Sequence, residues 1–130
     1  MSLNLALIVE NGRRMFADEI ALMHPDRTMT YGELSDRVRR FAAALIARGV
    51  RLGDKVGVMI PNRPEFTIAY FGILHAGAIV VPLNILLVAD EDVIGVQLVG
   101  GDDVHVGQVA QAEPRAVIAA LEDHKNVRAL

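Results

Sequence analysis

Residues 66–89 contain no Asp, Glu, Lys or Arg, and inside them lies "ILHAGAIVVPLN", positions 73–84. A chain with such a stretch must either pass it through a membrane or bury it as a helix-to-strand corner. A membrane helix would carry Gly77, Pro82 and Asn84 near its middle. An internal proline costs about 3 kcal/mol in a helix, and a buried Asn adds to that. The corner is therefore the expected reading: Gly77 stops a helix, "AIVVP" is a strand, and Pro82 ends it before Asn84. No transmembrane span is expected.

The flanking sequence alternates in the same way. A first helix is expected over 3–15, presenting Leu5, Ile8 and Val9 to the core. "IALMH" is a short strand ended by the turn "PDRT". A long helix over 30–48 begins with a capping box, Thr30 and Glu33, and ends at Gly49 in the left-handed conformation. Leu34, Val38, Phe41 and Leu45 form its inner stripe, which leaves Arg37, Arg39 and Arg40 outside.

Val56 to Ile60 lacks polar alternation, as suits a strand covered on both faces. Asn62 and Glu65 repeat the capping spacing around Pro64, opening a buried helix that reaches His75. Further on, 90–101 is expected to be a weak helix, 103–109 a strand, 113–126 a helix and 126–130 the start of a strand cut off at Leu130. Strand–helix alternation implies right-handed βαβ units. The fold class is α/β: a three-layer, mostly parallel sheet with helices on both faces. At 130 residues this is a single domain, residues 1–130, large enough to bury a core.

Charge narrows the function classes. The net charge is −3, and the last 41 residues hold most of the acidic excess. That argues against nucleic acid, whose affinity rests on phosphate neutralisation, and "DRVRR" (36–40) reads as a solvated helix face. There is no cysteine, and the N-terminus lacks the pattern of a secretory signal, so the expected location is cytoplasmic.

Chemical constellations are sparse. Neither GxGxxG nor GxxxxGK[ST] occurs, and the two lysines, Lys55 and Lys125, precede Val56 and Asn126. Ser35 reads as a surface hydroxyl and His75 as a core histidine. His105 beside Asp102 and Asp103 reads as a solvated strand end, and Asp90 to Asp92 as helix-start charge. No catalytic, cofactor-binding or metal-ligating residue is expected.

Two motifs carry a resemblance. "MTYGELS" resembles the first core motif of AMP-forming acyl-CoA synthetases, through Met29, Thr30, Tyr31, Glu33 and Leu34. "ILHAGAIVVPLN" resembles the second, through Leu74, Ala76, Gly77, Val81, Pro82, Leu83 and Asn84, with His75 in place of the usual basic residue. The intervening residues 48–66 are similar to the fatty-acid–CoA ligases of this family. The likeness is strongest over 16–90; beyond it, Val99-Gly100-Gly101-Asp102 stands where the family turn commonly reads Asp-Ser-Gly-Ala.

The resemblance implies a parent enzyme that joins a carboxylic acid, here a fatty acid, to ATP and passes the acyl-adenylate to coenzyme A, with Mg²⁺. It also implies that the phosphate loop, the nucleotide-binding residues and the mobile lysine lie beyond Leu130. The chain is then an N-terminal subdomain, inactive alone, whose partner is the remainder of the enzyme or a second copy of itself. A self-standing binding module is the competing expectation.

Overall fold

The computed structural model describes residues 4–82 and 95–99. The core is built around helices that each bury one face. Helix α1 (Ala6–Phe16) buries Ala6, Val9 and Gly12. Strands β1 (Ile20–His24) and β2 (Arg27–Thr30) form an antiparallel hairpin that turns at Pro25 and Asp26. Helix α2 (Tyr31–Ala47) follows directly and buries Leu34, Val38, Phe41 and Leu45, as its spacing of three and four requires. Strand β3 (Lys55–Met59), helix α3 (Pro64–His75) and strand β4 (Ile79–Pro82) complete a parallel βαβ unit. Strand β5 (Gly95–Val99) pairs with the free edge of β3.

The strand order is β4–β3–β5, so β3 is central, and Val56, Val58, Met59 and Ile60 are all buried. An apolar run without alternation suits that place. The three helices pack on one another, with α2 against both α1 and α3, and α3 also covers β3 and β4. At the α2–α3 crossing a β-carbon on Gly72 would lie 3.2 Å from Phe41 Cβ, so only a glycine admits the Phe41 ring there. Burying each large apolar side chain of this core contributes about 1.5–3 kcal/mol.

The α/β class and the parallel unit are as expected, and the corner at 73–82 replaces any membrane span. Among the described residues no helix is long and apolar enough to cross a membrane.

Several local expectations are corrected. Residues 95–99 are a strand, not part of a helix, and they run antiparallel to β3, which the mostly parallel sheet did not include. The β-branched residues of "GVQLV" gain more by pairing with an open strand edge than by continuing a helix that contains Gly95. Arg27 and Thr28, read as the end of a turn, open a strand, Arg27–Thr30, because this segment pairs with β1 from Ile20 to His24.

Leu5 and Ile8 are exposed, and of the three residues expected inside only Val9 is buried. The small residues Ala6 and Gly12 let that side of α1 approach its neighbours, leaving the bulkier pair outside. Asn62 does not cap α3. The cap position is Arg63, with extended backbone and no side-chain hydrogen bond, because Pro64 takes the first helical position. The elements expected over 103–109, 113–126 and 126–130 lie outside the described residues.

Candidate functional site

The residues of the first motif form the start of α2. Thr30 is the N-cap: its Oγ1 accepts from the Glu33 N–H at 3.2 Å, and Glu33 Oε2 accepts from the Thr30 N–H at 3.0 Å. The two remaining early donors are also taken. The Tyr31 N–H donates to the Glu19 carbonyl at 3.0 Å and the Gly32 N–H to the Ala17 carbonyl at 2.9 Å. All of these N–H groups are thus consumed within the chain, and the helix start is tied to the α1–β1 connection. Leu34 is buried in the core, and the Tyr31 ring packs against Gly12 of α1 and beside Phe16.

The residues of the second motif form the end of α3. Gly77 has φ +79°, and its N–H donates to the Leu74 carbonyl while the Ala78 N–H reaches back to Ile73 at 3.1 Å. That pair of bonds is a Schellman stop. α2 ends identically: Gly49 has φ +93°, its N–H bonds to Ile46, and the Val50 N–H bonds to Leu45. The α3 stop meets the turn that leads into β3: the Gly53 N–H donates to the Gly77 carbonyl at 2.9 Å and the Ile79 N–H to the Asp54 carbonyl at 2.7 Å. Ala76 is half-buried and Pro82 closes β4 at an exposed position. Leu83 and Asn84 lie outside the described residues.

Among the described residues no hydrogen bond or ion pair joins the two motifs. The structure sets them at opposite tasks, one opening a helix and the other closing one. Two polar residues, Ser35 and His75, are placed differently by the fold from their sequence reading, and Arg39, exposed as expected, gains a partner. Ser35 is buried at 1% exposure, and its hydroxyl donates to Glu10 Oε2 at 3.5 Å; it lies on the flank of α2 that faces α1. Arg39 is exposed yet donates to Glu10 Oε1 at 2.7 Å, so part of the basic cluster is spent on α1. His75 is exposed: it is the last residue of α3, on the flank of the inward stripe of Ile68, Ala69, Gly72 and Ile73.

Arg27 Nη1 lies 3.6 Å from Glu65 Oε1, joining the hairpin to α3. Among the described residues no three His, Asp or Glu gather as a metal site. Asp90 to Asp92, Asp102, Asp103 and His105 lie outside the described residues.

Gly12, Gly72 and Glu10 were not singled out by sequence reasoning. A glycine inside a helix costs about 1 kcal/mol against Ala, and that cost was the available signal of a close approach.

A family profile described as "AMP-binding enzyme" matches residues 9–128. The chain belongs to the AMP-binding enzyme family. Within the family, it is 42% identical over 91 residues to a medium/long-chain-fatty-acid–CoA/3-oxocholest-4-en-26-oate–CoA ligase of Mycolicibacterium smegmatis, covering 70% of this chain and 16% of that protein. It is 37% identical over 81 residues to 4-hydroxybutyrate–CoA ligase 2 of Metallosphaera sedula, covering 62% of this chain and 15% of that one. Among solved structures, the N-terminal domain of FACL13 from Mycobacterium tuberculosis superposes with a TM-score of 0.63 at 29% identity, covering 65% of this chain and 22% of the other. The anthranilate CoA ligase AuaEII, in complex with anthranoyl-AMP, gives 0.62 at 36% identity, covering 65% and 16% respectively. The chain therefore spans about a sixth of the length of such family members.

Proposed function

We propose that this chain is the N-terminal subdomain, residues 1–130, of an acid–CoA ligase that activates a fatty acid with ATP, releases pyrophosphate and passes the acyl-adenylate to coenzyme A. The observation that carries the reading is the 42% identity over 91 residues with a ligase named for medium- and long-chain fatty acids. Thr30, Tyr31, Glu33, Leu34, Ala76, Gly77, Pro82, Leu83 and Asn84 serve here as structural motifs: the described ones cap, pack and turn. A helix start grips phosphate through free N–H groups, and those that open α2 are already bonded within the chain. ATP, Mg²⁺ and coenzyme A are assigned to the longer enzyme, and no step is routed through them here.

The partner is then the remainder of such an enzyme. Without it, the exposed apolar side chains of α1 and β1, Met15 and Met23 foremost, favour contact with a second copy. The proposed location is cytoplasmic.

A chimera tests the reading. Residues 9–90 of this chain replace the matching segment of the Mycolicibacterium smegmatis ligase, and fatty-acid–CoA formation is assayed. Retained activity is expected. A chimera that folds with an unchanged circular dichroism spectrum but forms no acyl-CoA would overturn the assignment.

A further inference from the structure

We draw no further inference here: the strongest candidate, the exposed apolar surface of Leu7, Ile8 and Met15 on α1 with Ile20 and Met23 on β1, adds nothing to the partner reading already given, because nothing in the structure shows what covers it.

Discussion

The Tyr31 ring fills the space that a side chain at residue 12 would need: a β-carbon on Gly12 would stand 2.6 Å from Tyr31 Cε1. The residue after the α2 cap thereby fixes how closely α1 can approach. Gly12→Ala should destabilise by about 1–3 kcal/mol through overpacking, although alanine is the better helix former. In a Tyr31→Ala background the same change should be neutral or stabilising. A urea-denaturation double-mutant cycle reads this coupling, and additive effects would mean that the ring simply swings aside.

Gly77→Val should be strongly destabilising and Glu33→Ala only mildly so. At φ +79° a side chain costs about 1–2 kcal/mol in backbone strain, more when branched, and a β-carbon would meet Leu52 Cδ1 at 2.7 Å. Leu52 is 87% exposed and can move, so the strain is the larger part. Glu33 contributes one arm of the capping box, on the order of 1 kcal/mol. Gly49→Ala, with φ +93° and open space around it, isolates the backbone cost and should fall between the two. Equal denaturation midpoints for Gly77→Val and Glu33→Ala would contradict the corner geometry.

How these positions read in the sequence divides along physical lines. Thr30, Glu33, Gly49 and Gly77 were legible because caps and stops are local chemistry, settled within five residues. The inner stripe of α2 was legible because one strong period runs through Leu34, Val38, Phe41 and Leu45.

The Asn62 cap failed locally, to Pro64, and the other failures depended on neighbours distant in sequence. α1 carries apolar residues on more than one side; the side with Ala6, Val9 and Gly12 goes in, Gly12 against the Tyr31 ring, while Ile8 stays out. Ser35 departs from its expected surroundings for the same reason, since α1 meets it through Glu10, and His75 stands exposed as the last residue of α3. β5 is a strand only because β3 offers it an edge. The motif residues were found at once, but their structural tasks needed the hydrogen bonds.

Ser35→Ala should change stability by less than about 1 kcal/mol, because the lost hydroxyl bond is long at 3.5 Å and joins a partly buried carboxylate. Glu10→Ala should cost more, since it strands the buried hydroxyl and frees Arg39 from a 2.7 Å contact. Thermal unfolding of both variants checks the order. A larger loss for Ser35→Ala would place the linchpin of the α1–α2 contact on the hydroxyl.

The isolated chain should neither exchange labelled pyrophosphate into ATP in the presence of a fatty acid nor bind ATP at millimolar concentration. Its N–H groups at the α2 start are occupied, and Lys55, at the start of β3, precedes a strand rather than a helix. Isothermal calorimetry and the exchange assay measure the two separately; a positive result in either would sink the claim.

The chain should self-associate in solution. Met15 and Met23 are 71% and 80% exposed, and other large apolar side chains of α1 and β1 accompany them. Burial of such surface yields about 25 cal/mol per Å² before association entropy is subtracted. Light scattering over a concentration series should show mass rising with concentration. A constant monomer mass would favour a self-standing module.

The antiparallel pairing of β5 with β3 has a bearing on synthesis. β3 finds its parallel neighbour β4 as soon as α3 has crossed over, yet its second neighbour begins only at Gly95. At about 5–20 residues per second, a ribosome leaves that flank of the central strand open for roughly one to three seconds after Pro82 is made. The strand left waiting holds four consecutive buried residues, Val56 to Met59. Nascent chains crowded on one messenger would be at greatest risk of mispairing in that interval, which makes the pace of translation through residues 83–94 a determinant of yield.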